Sequence, residues 1–186
     1  MGNVQTPKPP NGRERPPKGN GPTEIDPRLL LRALTALGRG DFTVRLPDDW
    51  IGLGGKIADA FNGVVDRNQR LASELDRISK SVGKEGKLNQ RASIGDVSGS
   101  WADSVGAVNA LIADLAAPLS ESSRVITAVA HGDLSQAMAM EIEGRALQGE
   151  FLKTARTVNT MVEQLGSFAS EVTRVAREVG SEGKLG

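Results

Sequence analysis

The sequence contains no cysteine, no tyrosine and a single histidine among 186 residues. Without cysteine there is no disulfide framework, no thiolate nucleophile and no sulfur ligand for a metal. Four Phe and two Trp bring the aromatics to only 3% of the chain, which argues against a bulky globular core or a base-stacking platform. Charge of neither sign prevails, since 23 Lys and Arg balance 23 Asp and Glu, and nothing points to nucleic acid as a partner. There is no unbroken run of about 18 apolar residues and no charged N-terminus followed by an apolar block. The sequence therefore predicts neither a membrane span nor a signal peptide and places the chain in the cytoplasm.

What is present is heptad order. Ile57, Phe61, Val64, Asn68, Leu71, Leu75, Ile78 and Val82 step 4, 3, 4, 3, 4, 3, 4. Trp101, Val105, Val108, Ile112, Leu115, Leu119, Ser122, Ile126 and Val129 continue the same alternation, as do Phe151, Ala155, Val158, Val162, Leu165, Ala169, Val172, Ala176 and Val179. A strict 3.5-residue spacing keeps one seam turned toward a partner only if helices supercoil left-handedly, so three long helices with partner helices alongside are expected.

Residues 1–24 hold six of the nine prolines and cannot bury enough apolar surface to offset ordering entropy, which predicts a disordered tail. Met1 to Thr6 formally matches a myristoylation pattern, for which an initiator Met and a flexible arm are the simpler account. From Pro27 a short amphipathic helix is expected, capped by Asp26, with Leu30, Leu34 and Leu37 on one face. It should end at Gly38-Arg39-Gly40, followed by an extended segment to Leu46 and a Gly-rich connector to about Lys56. The sequence then repeats itself: Phe42, Leu88, Leu134 and Leu185 are spaced 46, 46 and 51 residues apart, and Asn62, Asn109 and Asn159 are spaced 47 and 50 apart. Units alternate in type. Leu71-Ala72-Ser73-Glu74 and Glu85-Gly86-Lys87-Leu88 recur as Phe168-Ala169-Ser170-Glu171 and Glu182-Gly183-Lys184-Leu185. Each long helix is expected to close one unit and open the next, in a linear stack.

A helix, a connector beginning Gly-Asp-Leu and a second helix carrying Phe61-Asn62 or Val158-Asn159 resemble the HAMP domain, the signal relay of histidine kinases and chemoreceptors. Val158 to Leu165, Phe168 to Leu185 and Gly99 to Asp103 are most similar to the poly-HAMP array of soluble hybrid sensor histidine kinases, the fungal-type osmosensing enzymes and their bacterial relatives. The resemblance implies an all-α fold of tandem HAMP units, each a parallel homodimeric four-helix coiled-coil bundle, stacked into a rod with extended connectors. It implies HAMP 1 at residues 25–70, HAMP 2 at 71–116, HAMP 3 at 117–167 and the start of a truncated HAMP 4 at 168–186. The function implied is signal transduction in a two-component phosphorelay, with partners limited to a second copy of the chain and a downstream kinase core. The alternative is a structural coiled-coil scaffold with no signalling role, which would have no reason to repeat helix-breaking connectors at matched positions.

The side chains expected to matter are for packing and signalling. Phe42, Leu46, Leu88 and Leu134 are expected to dock between helices, and Phe61 to mark the second helix of unit one. Asn68 and Ser122 interrupt two seams, where a polar group fixes register at a cost in stability. Pro118 should kink its helix near Asp114 to Ala117 or begin a separate one, marking a joint. The resemblance implies an acidic clamp on the connector, for which unit three keeps Glu150 and unit one, with Gly52-Leu53-Gly54-Gly55, keeps nothing. His131 precedes Gly132 at a helix end, where dipole attraction explains a cationic side chain without a phosphoacceptor role. Gly52 to Lys56 lacks the spacing of a phosphate-binding loop. No catalytic residue, cofactor or metal site is expected, and with them no ATP binding or autophosphorylation.

Overall fold

The computed structural model describes residues 25–182. The expected tail at 1–24 and Leu185 with its neighbours lie outside the described residues. Four α-helices carry the described residues: α1 Pro27–Gly38, α2 Gly52–Ile78, α3 Ser100–Ala130 and α4 Gly149–Glu182. A π-helical segment, Ser79–Lys84, continues α2. The chain is mostly helical, with one exception to the all-α expectation. Strands β1 Glu141–Ile142 and β2 Arg145–Ala146 pair antiparallel, Glu141 opposite Ala146 and Ile142 opposite Arg145. Glu143 and Gly144 between them have φ of 52° and 74°, the two left-handed residues of a type I′ hairpin turn. Glu-Gly is a weaker hairpin signal than Asn-Gly, and the segment reads from sequence as plain connector.

The described chain divides into two compact units, one ending at Leu75 and one beginning at Asp76. In the first, Asp26 caps α1 by accepting from the N–H groups of Arg28 (2.9 Å) and Leu29 (3.3 Å), two donors that a helix start leaves without partners. Ala33 of α1, Leu46 and Trp50 of the connector, and Ala58, Phe61 and Val65 of α2 form its core, with Phe42 and Val44 packed against it. The second unit has two cores. Ile78, Ala92 and Ile112 form one. Val125, Met138, Leu147, Ala155, Val158 and Val162 form the other.

Two helix limits differ from the sequence reading. Helix α2 starts at Gly52, not near Lys56. Gly54 and Gly55 are buried and Gly55 donates its N–H to Ile51 O, so these glycines are helix backbone in the interior and not a flexible connector. Pro118 does not start a new helix. It is buried inside α3, which runs unbroken through it, although proline cannot donate to the carbonyl of Asp114 and such a site costs about 3 kcal/mol. Helix α3 is also the one helix among the described residues long and apolar enough to cross a membrane.

Each seam is in part not covered by its own chain, α4 the most and α2 the least. Leu115, Leu119 and Ile126 of α3 are exposed, as are Leu165, Val172 and Val179 of α4, Leu75 of α2 and Leu34 of α1. The faces turned inward combine seam positions, Phe61 and Ile78 in α2, Ile112 in α3 and Ala155, Val158 and Val162 in α4, with neighbouring ones, Ala58 and Val65 in α2 and Val125 in α3.

Candidate functional site

The candidate site is a joint that occurs three times, where a connector crosses a helix. Each joint begins with a helix end turned by a left-handed glycine: Gly40 (φ 85°), Gly86 (φ 68°) and Gly132 (φ 82°). Six residues later the connector presents Leu46, Ala92 or Met138, and an asparagine on the following helix grips that residue's backbone. Asn62 Oδ1 accepts from Leu46 N–H at 2.8 Å while its Nδ2 donates to Leu46 O at 2.8 Å. Asn109 does the same to Ala92 at 2.7 and 3.0 Å, and Asn159 to Met138 at 2.7 and 3.0 Å. An extended segment crossing a helix has no strand to pair with, and one carboxamide supplies both missing partners. In sequence these asparagines mark the repeat without disclosing that role.

Arginines brace the same joints. Arg77 donates to Gln90 Oε1 at 3.2 Å and Arg91 O at 2.8 Å. Arg124 repeats this with Gln136 Oε1 at 2.8 Å and Ala137 O at 3.1 Å, and it holds Glu121 with two parallel bonds at 2.8 Å. From the connector side, Arg45 donates to the carbonyls of Phe42 and Val44, and Arg91 to those of Leu88 and Gln90. The first and third joints share a further turn, in which Asp41 Oδ1 accepts from Thr43 N–H and Oγ1, and Asp133 Oδ1 from Ser135 N–H and Oγ. The hydroxyl of Thr43, then its N–H, holds the Asp41 carboxyl below the usual carboxylate range. Ser135 does likewise for Asp133, with smaller help from Gln136 and Arg124. Arg124 lowers Glu121 in the same way.

The residues singled out from sequence fall differently. Leu46 and Phe61 are buried, and Phe42 packs on their core. Leu88 and Leu134 are only half-buried and lie outside the cores. Ala92 and Ile94, and Met138 and Leu147, are the buried apolar residues of those connectors, which a search for large hydrophobes beside the glycine does not find. Asn68 is half-buried and donates to Val64 O of its own helix at 2.9 Å. Ser122 Oγ lies 3.2 Å from Met138 Sδ, linking α3 to the third connector. Pro118 borders an open groove of about 550 Å³ with Ile142, Leu147 and Phe151, beside which Arg145 pairs with Asp114 at 2.6 Å. Glu150 is exposed and pairs with Lys153 one turn along its own helix. His131 caps α3 and its Nδ1 lies 2.7 Å from Thr127 O. A carbonyl only accepts, so that nitrogen carries a proton.

The joints offer matched backbone grips, ionic braces and small apolar cores, which hold one helix against the next. No solved structure matches the chain. A sequence model of the HAMP domain matches residues 96–167, which take in α3, the third connector with its hairpin and the first half of α4. Residues 96–167 are thus similar to the HAMP domain, which is a non-catalytic, signal-transducing linker module of sensor proteins.

Proposed function

We propose that the chain is a tandem HAMP array, units at 25–70, 71–116 and 117–167 with a fourth begun at 168, that relays conformational change as a parallel homodimer to a downstream histidine kinase core. The observation that carries this reading is the asparagine grip, made on Leu46, Ala92 and Met138 at intervals of 46 residues, with the third joint within the matched family region, the second straddling its start and the first before it. The exposed seam residues Leu115, Leu119 and Ile126 supply the contact surface for a second copy, because heptad positions left bare on a helix are those a partner helix fills. The same surface on α3 meets a length criterion for crossing lipid. Arg124, Glu121 and Asn109 fasten that helix to polar connectors, which favours water around it and a cytoplasmic place for the array.

Sedimentation equilibrium at tens of micromolar tests the assembly. A mass of two 19.6 kDa chains is expected, and a single-chain mass would overturn it. Fused ahead of a kinase core, the array should tolerate removal of a pair of units, about 92 residues, better than removal of one, because alternate joints share the Asp41 and Asp133 turn.

A further inference from the structure

The three helix ends are not equivalent, and the second contains one residue more than the others. Helices α1 and α3 close in the same way. Gly40 N–H bonds Leu37 O and Asp41 N–H bonds Ala36 O, just as Gly132 N–H bonds Val129 O and Asp133 N–H bonds Ala128 O. These are the two bonds of a Schellman cap. At the second end Glu85 N–H reaches back five residues to Lys80 O, and Lys87 N–H reaches back six to Ser81 O. The buried residue of each first helix locates the surplus. Ala33 lies seven residues before Gly40 and Val125 seven before Gly132, but Ile78 lies eight before Gly86. Beyond the glycine all three connectors keep step, reaching the gripped residue after six. The surplus therefore sits between Ile78 and Gly86, in the residues that form the π segment Ser79–Lys84.

A regular α-helical turn up to Gly86 would place Ser79, now exposed, seven residues before the glycine, in the core position held by Ile78. Each residue of slip turns a helix by about 100°, so Ile78 would leave Ala92 and Ile112, and Arg77 would leave Gln90 and Arg91. Serine is a poor substitute for isoleucine in an apolar core, and the wide turn keeps Ile78 inside. We infer that the π segment stores one residue and makes the end of α2 a register switch: wide with Ile78 in the core, regular when the stored residue is taken up by the helix. Wide turns of this kind are recurrent at functional sites in helices. The inference rests on bonds within one unit and does not depend on how many chains assemble. The sequence at 168–185 keeps the same interval, Val175 standing eight residues before Gly183.

The test compares two single-residue deletions in the full chain by amide hydrogen exchange. Deleting Ser79 brings Ile78 to seven residues from Gly86, and the amides of 80–88 should exchange at least tenfold more slowly. Deleting Thr127, where no residue is surplus, should speed exchange across 124–133. If deleting Ser79 also speeds exchange at its own helix end, no residue is stored there and the inference fails. A point variant needs no deletion: Ser79→Ile supplies an apolar side chain for either register and should give two sets of NMR resonances for Arg77, Gln90 and Ala92. A single set, unchanged from the parent protein, would show that the segment does not switch.

Discussion

Asn109 holds both backbone groups of Ala92, accepting its N–H at 2.7 Å and donating to its carbonyl at 3.0 Å. Ala92 is buried in the core that Ile78 and Ile112 complete, so the grip fixes where that connector lies. Asn109→Ala leaves one donor and one acceptor unpaired, and should cost about 1–2 kcal/mol of unfolding free energy. Asn109→Asp, which keeps the acceptor but sets a carboxylate against the Ala92 carbonyl, should recover none of it. Urea unfolding of the three proteins checks this, and an alanine variant as stable as the parent would mean that water replaces the amide without loss.

The hairpin turn gives a prediction free of packing effects. Gly144 has φ 74° and open space where a Cβ would stand, so Gly144→Ala is penalised by backbone conformation alone, about 1 kcal/mol. Glu143→Asn, at φ 52°, should stabilise by a few tenths of a kcal/mol because asparagine tolerates left-handed backbone. Opposite effects on the melting temperature are expected, and equal effects would contradict the turn assignment.

These two sites show how far the sequence can be read. The 3.5-residue spacing is legible because it is a property of residue types, and it locates the ends of α3 and α4 to within one to three residues. The role of Asn109 is not legible, since spacing marks it as repeated but only three-dimensional crossing shows what it grips. Ala92 and Met138 are hidden by their ordinary types, whereas Leu88 and Leu134 look like anchors and are half-buried. The start of α2 is hidden because Gly52 to Gly55 reads as connector unless the burial of Gly54 and Gly55 is known. The π segment has no compositional signature at all, being defined by one residue too many between two fixed points.

Acid should loosen the joints. Asp41, Asp133 and Glu121 have folded-state pKa values below those of the unfolded chain, owing first to Thr43, Ser135 and Arg124. Their contribution is complete above the unfolded carboxylate values of about 4 and is lost as pH falls through the lower folded values. Asp41 and Asp133 are exposed and Glu121 is half-buried, so the effect is modest and weakened by salt. Urea midpoints should fall as the pH drops below about 4. The double variant Thr43→Val, Ser135→Ala should show a shallower fall, and an unchanged fall would remove these turns from the account.

Asn68 tests the seam within α2. Its amide is satisfied by Val64 O of the same helix, so replacing it sacrifices a local bond and gains an apolar contact wherever a second helix lies alongside. Asn68→Leu should therefore raise stability by about 1 kcal/mol and the melting temperature with it. A lowered melting temperature would place Asn68 away from the seam.

The central claim, that two copies align in parallel along the exposed heptad positions, is tested most directly by cysteine cross-linking, which the absence of native cysteine makes unambiguous. In a parallel pair each seam residue meets its own copy, within the roughly 4.4–6.8 Å between Cα atoms that a disulfide spans. Leu119→Cys, at a seam position 52% exposed in the single chain, is expected to oxidise almost completely to a disulfide-linked dimer at low micromolar concentration. Ser123→Cys, exposed but off the seam, is expected to remain monomeric under the same oxidant. Efficient cross-linking of Ser123→Cys with none of Leu119→Cys would contradict parallel pairing along this face.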